Sequence, residues 1–508
     1  MRFSLFLVIF MAMSATFPRL MAQKLPPTLD AYIENGMEEW NLPGLAITVV
    51  QDGEPILVKG YGVKEAGKEK PVDENTLFAI GSATKAFTAT ALGILVDREK
   101  LHWNTHVHEI APRLKFSDPW VTQEIRVSDL PSNHSGLSAI SESLWYGSGL
   151  ERQEILDRLQ YVPFSEGFRY QYQYRNVMFL LGGQLIPLVT DGTSWDTFVA
   201  EEIFDPLGMT RTSPTDKGIE QESNVARPHI IDYEGNPIPM PYRDMQNIGP
   251  AGSIISCAKD LVPWIKVHLG QSPKKPIVAP ATLRYLHTSQ TPMWGFNAEG
   301  ELRNSPSSLH SYCLGWVTES YRGERLVWHN GNIDGMSAWV ALAPDLGLGV
   351  GILTNLDDCE LRKAIFYHIL DHCIDHPGED LDPQLLARFR KTIATRDEAE
   401  QEWQKLAAAP LESALPLESY TGQYHSDLLG TATITVKEGK LLYERTPQQM
   451  LELVVKEAGG NAFLGRHTNP NEDLRTGKVQ VTFDVEDSQP QTLEDASEGI
   501  PILFKKLR

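Results

Sequence analysis

From Ala86 to Val96 the chain places apolar residues on almost every face of a helix: Ala86, Phe87, Ala89, Ala91, Leu92, Ile94 and Leu95. A surface helix needs one apolar stripe, whereas a helix apolar all round has to be enclosed by other elements. The fold must therefore build layers around this segment. A length of 508 residues allows that, and predicts two or three domains. With 42% apolar and 22% charged residues the composition is that of a globular protein. A net charge of −20 argues against nucleic acid as the main partner, and against an anionic membrane held by charge alone. Cys257, Cys313, Cys359 and Cys373 show no C-x-x-C spacing and read as buried small residues.

The first residues run from Arg2 through an apolar stretch, Phe3–Met13, to Leu20-Met21-Ala22 before Gln23-Lys24. This order predicts a secretory leader over residues 1–22, cleaved after Ala22. The run is too short for the roughly 20 residues that span a bilayer, and no other segment is long and apolar enough. Loss of Arg2 and Arg19 with the leader would take the net charge from −20 to −22. The expectation is an exported protein, periplasmic or secreted.

Leu45–Val50 and Pro55–Gly62 flank Asp52-Gly53, a hairpin signal. A region of mixed helix and loop extends to about residue 305. After it, Arg325–His329, Ser337–Leu342 and Gly347–Thr354 read as antiparallel strands, and Leu361–Ile374 as a helix covering them. Residues 377–415 read as a linker with a charged helix, Leu385–Ala408. From Tyr420 on, short alternating runs such as Val479, Val481, Phe483 and Val485 predict a strand-only segment, a small β-barrel over 416–508. No internal repeat stands out.

Ser82-Ala83-Thr84-Lys85 opens the enclosed helix. Residues one turn apart share a helix face, so the Lys85 ammonium can reach the Ser82 hydroxyl inside a core that penalises its charge. Burial would lower the lysine towards neutrality and make it a base for the serine. The bland reading is an N-cap serine beside a surface lysine. Ser-x-x-Lys also occurs at Ser256–Lys259 and Ser272–Lys275, without a comparable buried helix behind it. Tyr174-Arg175-Asn176 precedes the apolar Val177–Leu181, bringing a phenol and an amide to a second helix start. His329-Asn330-Gly331-Asn332 ends the Leu326-Val327-Trp328 strand, where glycine permits close backbone approach. Read alone, the second motif is a capped helix and the third a structural histidine.

Taken in order, these three motifs resemble the serine β-lactamase and penicillin-binding-protein superfamily, which carries Ser-x-x-Lys as a signature. Leu42-Pro43-Gly44, Gly60-Tyr61-Gly62, Ser135-Gly136-Leu137, Pro250-Ala251-Gly252-Ser253, Leu314-Gly315-Trp316 and Thr354-Asn355 look like its class C β-lactamase-related branch. The similarity covers about residues 28–375, and the C-terminal segment resembles the lipocalin-like barrel of some members. The resemblance implies an α+β fold, an antiparallel sheet flanked by helices with an all-helical region, followed by the barrel. The expected units are the leader 1–22, a catalytic domain 23–376, the linker 377–415 and the barrel 416–508.

It further implies Ser82 as acylated nucleophile, with Lys85 and Tyr174 sharing general-base and acid work. Asn176 would hold the acyl side of the substrate, and the amides of Ser82 and Asn332, beside Gly331, would form the oxyanion hole. His329 stands where β-lactamases and many carboxypeptidases have lysine, and a neutral imidazole pairs less strongly with a carboxylate. That departure points away from β-lactam hydrolysis as the main role. A second departure, Pro131 and Asn133-His134, is expected to alter a structural turn and not the acylation machinery. The reading is an exported serine hydrolase of amides or esters, acting on a small-molecule or peptide-like substrate without metal or organic cofactor. The alternatives are a β-lactamase or D-Ala-D-Ala carboxypeptidase, and a non-catalytic penicillin-binding sensor. The C-terminal domain is a candidate surface for homo-oligomer assembly.

Three further features have bland readings. His368, His372 and His376 share four-residue spacing, but no Glu lies between them in a zinc-protease pattern, so they read as a solvated helix end. Trp145-Tyr146 is either a pocket wall or a packed loop anchor. Asp357, Asp358 and Glu360 are expected to mark a helix N-terminus.

Overall fold

The computed structural model describes residues 25–507 apart from 272–275, 294–306, 377, 410, 447 and 497–500; the expected leader lies outside the described residues. Helix α1 (Leu29–Glu39) leads into strands β1 (Gly44–Gln51) and β2 (Glu54–Gly62). Asp52 and Gly53 join them with φ of +50° and +83°, the left-handed turn that matches strand twist.

The enclosed helix is α2 (Thr84–Asp97), in which every residue from Thr84 to Leu95 is buried. Its enclosure comes partly from α3 (Asn176–Val189), whose Gly182 lies against Leu92. On another side α4 (Ala258–His268) stacks Trp264 on Phe87 at 3.7 Å between ring centres.

Strands β3 (Thr291–Pro292), β4 (Ser307–Tyr312), β5 (Val317–Tyr321), β6 (Glu324–Ile333), β7 (Met336–Ala343) and β8 (Leu348–Thr354) complete the main sheet. Its order is β2-β1-β8-β7-β6-β5-β4-β3, eight strands paired antiparallel. Gly349 and Gly351 of β8 let Ile265 and Leu261 of α4 approach one face. Val350 and Ile352 turn to the other face, where helix α5 (Leu361–Cys373) packs. The expected three-strand run is therefore the centre of a larger sheet.

Three expectations need correction here. Strand β6 does not end at the His-Asn-Gly motif but runs through it to Ile333, because residues 327–333 pair with Met336–Leu342. Strands β4 and β5 were not foreseen: β5 alternates buried and half-buried positions with Thr318, Glu319 and Ser320 between its apolar residues, a weak hydrophobic signal. The apolar Leu77–Ile80 ahead of Gly81 also reads as a strand from the sequence, but only Phe78–Ala79 forms one, and it pairs with Ile255–Ser256 outside the main sheet.

Helix α6 (Asp382–Ala408) spans 27 residues and leads to the C-terminal region. There β9 (Gly422–Ser426), β10 (Gly430–Lys437), β11 (Lys440–Thr446), β12 (Gln449–Val455) and β13 (Ala462–His467) precede helix α7 (Pro470–Thr476). Strands β14 (Val479–Glu486), β15 (Gln489–Asp495) and β16 (Ile502–Lys506) follow, and the eight close into a barrel. The segment is thus not strand-only: Asn469 caps α7 and Pro470 sits in its first turn, a start signal the alternating pattern masks. Tyr420, Tyr424, Phe463 and Phe483 pack ring against ring inside the barrel. The barrel also grips the sheet-bearing region: Thr446 Oγ1 donates to Gly147 O at 2.7 Å, and Arg158 to Leu428 O at 2.8 Å. All four cysteines are free, three of them buried and Cys373 half-buried.

Candidate active site

Ser82 lies in a 3₁₀ turn, Gly81–Ala83, that feeds α2 at Thr84, so the helix starts two residues later than the motif suggests. Strand β6 crosses this turn at very short range. A Cβ on Gly331 would fall 1.9 Å from Ile80 O and 3.1 Å from Ser82 N, so only glycine fits. Gly81, at φ +50°, meets Asn332 N in the same way, with 3.0 Å to an added Cβ. The backbone of Ser82 and Asn332 is brought side by side by this contact.

Lys85 is fully buried one turn along. Its Nζ lies 2.9 Å from Ser82 Oγ and 2.9 Å from Ala251 O. Burial pushes its pKa down to about 7, against a smaller upward pull from the Glu142 carboxylate. Its Nζ also stands 4.6 Å above the Tyr174 ring and 5.4 Å from that of Phe179. The Tyr174 hydroxyl donates to Ser82 Oγ at 2.6 Å. Burial holds that phenol well above its ordinary pKa, so it keeps its proton at neutral pH. The nucleophile candidate therefore has a proton-holding phenol and a half-neutral amine on one oxygen.

Asn176 begins α3 and lines the cleft, but its Nδ2 donates to Glu142 Oε2 at 2.6 Å and its backbone N–H to Glu142 Oε1 at 3.1 Å. One amide hydrogen is thus already committed. Glu142 also accepts from Trp145 Nε1 at 2.7 Å. Sequence reasoning missed this carboxylate, which belongs to no motif; its one signal was its place in the loop that carries Trp145-Tyr146.

His329 is 2% exposed, with Nε2 3.0 Å from the Tyr312 hydroxyl and Nδ1 2.6 Å from Asn330 O. Burial, aided by the Lys85 charge, pushes its pKa down to about 3. It is therefore a neutral ring at pH 7 and offers no positive charge.

Ser82, Tyr174, Asn176, His329 and Asn332 line a cleft of about 720 Å³ whose walls also include Trp145, Tyr146, Tyr172, Tyr312 and Trp328. Arg475, from α7 of the barrel, also lines it and was not foreseen. It lies 3.5 Å from Asp334 and 3.5 Å from Asp357. The acidic trio before α5 accordingly does more than precede a helix: Asp358 accepts from Asn332 Nδ2 at 2.8 Å. Among the other candidates, Ser256 bonds Thr212 at 2.9 Å, and Ser272–Lys275 lies outside the described residues. His368 stacks on Tyr32 at 4.1 Å, and His376 Nε2 lies 3.0 Å from an Arg322 nitrogen.

The family model described as beta-lactamase matches residues 29–373, and one described as a domain of unknown function (DUF3471) matches 406–500. A protein described as "Unguisins hydrolase ungD'" from Aspergillus campestris is 28% identical over 439 residues, 81% of this chain and 78% of its own length. The octameric penicillin-binding protein homologue from Pyrococcus abyssi superposes with a TM-score of 0.60 at 20% identity, covering 94% of this chain and 99% of that one. The D-alanine carboxypeptidase AmpC from Burkholderia cenocepacia gives 0.53 at 22% identity, covering 68% and 97%. The chain belongs to the beta-lactamase family, a family of serine hydrolases, and has its antiparallel-sheet and helix fold followed by a closed barrel.

Proposed function

We propose that this member of the beta-lactamase family is an exported serine hydrolase that cleaves an amide or ester through an acyl-serine intermediate. The observation that carries the reading is the convergence of Lys85 Nζ and the Tyr174 hydroxyl on Ser82 Oγ, at 2.9 and 2.6 Å. The relative described as a hydrolase favours the same reading.

The neutral Lys85 amine has two hydrogens and one lone pair. One hydrogen goes to Ala251 O, and the lone pair accepts the Ser82 proton as Oγ attacks the substrate carbonyl carbon. Tyr174 is protonated at the start and is not the acylation base; as the C–N or C–O bond breaks it gives its proton to the leaving group and takes in its place the proton that Lys85 received from Ser82, so both groups return to their starting states. The N–H groups of Ser82 and Asn332 hold the developing oxyanion, each donor worth about 3 kcal/mol in the transition state. Water then attacks the acyl-serine and gives a proton to the again neutral Lys85, which returns it to Ser82 Oγ as the bond to the acyl carbon breaks and the acid leaves.

Asn176 keeps Oδ1 and one amide hydrogen for the substrate's acyl side. His329 supports the strand and the Tyr312 hydroxyl, and gives no positive charge to a substrate carboxylate. This disfavours the β-lactamase alternative. Export rests on residues 1–22 alone, and the division at 376 and 415 follows the helical linker.

Labelling by a fluorophosphonate and by a fluorescent penicillin, compared with Ser82→Ala, tests the reading: a Ser82-dependent adduct is expected, and its absence would end it. Nitrophenyl esters, D-amino-acid amides and a chromogenic cephalosporin assayed together then rank the substrates. Amino-terminal sequencing of the exported protein checks cleavage after Ala22.

A further inference from the structure

A second cavity of about 880 Å³ lies against the catalytic cleft, and Trp328, Asn330 and Arg475 line both. Its walls come from β6 and β7 of the main sheet, Ile230 and Ile231, the stretch from Asp357 into α5, one face of α6, and α7 of the barrel with the residues that follow it. Trp339, Leu385, Phe389 and Leu474 give it an apolar floor.

The charges around it are unequal in their engagement. Its three acids are occupied: Asp357 by Gly335 N and Arg475, Asp358 by Asn332, and Glu360 by Arg362. Among its cations, Lys478 pairs with Glu400 and Asp473, Arg396 lies 3.6 Å from Asp397, and Arg475 is held by Asp334 and Asp357. Lys363 on α5 and Lys391 on α6 make no ion pair or side-chain hydrogen bond among the described residues. Lys363 acts on the buried Glu319 through its charge alone. Two uncommitted ammonium groups thus face an apolar-floored groove in a chain of net charge −20. Elsewhere such a chain repels an acidic ligand, so these lysines are where one would be held.

We propose that this groove is a subsite for the distal segment of a peptide substrate, one that carries carboxylate side chains next to apolar residues. The claim rests on the acyl-serine reading and adds to it a substrate class. The scissile bond lies at Ser82, the chain passes Trp328 and Asn330, its apolar residues lie on Phe389 and Leu385, and its carboxylates meet Lys363 and Lys391.

The test uses the full chain with Ser82→Ala, so that cleavage does not intervene, and fluorescein-labelled nonapeptides read by anisotropy at low salt. One set carries two Glu–Asp pairs at either end around apolar residues, and the matched set carries Gln–Asn. The acidic set should bind about tenfold tighter, and the preference should weaken with added salt. Lys363→Gln with Lys391→Gln should reduce it to about twofold or less, Lys363→Arg with Lys391→Arg should restore it, and nitrophenyl ester turnover in the Ser82 background should not change. Equal binding of the two sets, or a preference that survives the double Gln variant, would overturn the subsite. The two readings fail separately: a missing Ser82 adduct ends the hydrolase and with it the substrate claim, whereas a missing acid preference beside an intact adduct ends the subsite alone.

Discussion

The Tyr312 hydroxyl lies 3.0 Å from Nε2 of His329, whose Nδ1 faces Asn330 O at 2.6 Å. With Nδ1–H donating to the carbonyl and Nε2 accepting from the phenol, the imidazole is neutral and has no nitrogen left for a substrate. Where the resemblance implies lysine in many family members, this chain presents a neutral imidazole to the cleft.

The pH dependence of kcat/KM should therefore report Lys85 and not His329. Activity on a nitrophenyl ester is expected to rise with pH through a midpoint near 7, as Lys85 loses its proton. Glu142→Gln removes the carboxylate that favours the charged lysine, so the midpoint should move down. His329→Gln should leave the midpoint in place, because the ring does not ionise above about 3. A midpoint that follows His329 would refute this assignment.

Tyr174→Phe removes the 2.6 Å hydrogen bond to Ser82 and the proton relay, with no change in packing volume beyond one oxygen. A fall in kcat/KM of about 10²–10⁴ is expected with an unchanged circular dichroism spectrum. Activity within a few-fold of the parent would show that Tyr174 carries no proton in the reaction.

Lys85 should be costly to the fold. Its folded pKa of about 7 lies below the unfolded value near 10.4, so between these limits the unfolded chain binds the extra proton. Stability tied to this group is present above pH 10.4 and is lost as pH falls towards 7, at up to about 1.4 kcal/mol per pH unit. Lys85→Met should thus be inactive yet melt at a higher temperature than the parent at pH 7, with the gap closing as pH rises. Melts across that range check the sign.

Gly331→Ala forces a Cβ to 1.9 Å from Ile80 O. The turn bearing Ser82 and strand β6 must separate, which should cost about 1–3 kcal/mol by overpacking. Since the shift acts on the Ser82 and Asn332 amides, activity should fall about 10²-fold. Denaturant unfolding and ester turnover measure the two effects on one sample.

Acid should unfold the protein early. His287 and His329 are pushed down to about 3 and His467 to about 4, all by burial, and His268 is held well below its ordinary value. Each is neutral when folded and charged when unfolded below about 6.5. Their contribution is complete above that pH and is lost as pH falls towards 4 and 3. Urea melts from pH 7 to pH 4.5 should show falling stability, and His287→Gln should flatten the slope.

Much of this was readable in the chain. The all-round apolar pattern of Ala86–Leu95 required an enclosed helix, and Asp52-Gly53 required a hairpin, because local periodicity and turn chemistry decide such elements. Strand β5 was hidden because Thr318, Glu319 and Ser320 leave apolar residues only at its two ends. Helix α7 was hidden because seven residues are too few to show a period of 3.6. Asp357 and Asp358 read as a helix start, although what they contact is Arg475 and Asn332.

The sequence by itself determined the chemistry on offer: Ser82 and Lys85 one turn apart at a buried helix, a phenol and amide at Tyr174 and Asn176, and glycine at 331. Only the tertiary structure decided what those groups are. Burial brings Lys85 close to neutrality, keeps Tyr174 protonated and, with the Lys85 charge, keeps His329 neutral, and Glu142 fixes the Asn176 amide. The folding of the barrel against the sheet brings Arg475 to the cleft from nearly 400 residues beyond Ser82. The physical reason is that residue type sets which protons and charges exist, whereas their strength depends on desolvation and on partners that arrive from distant parts of the chain.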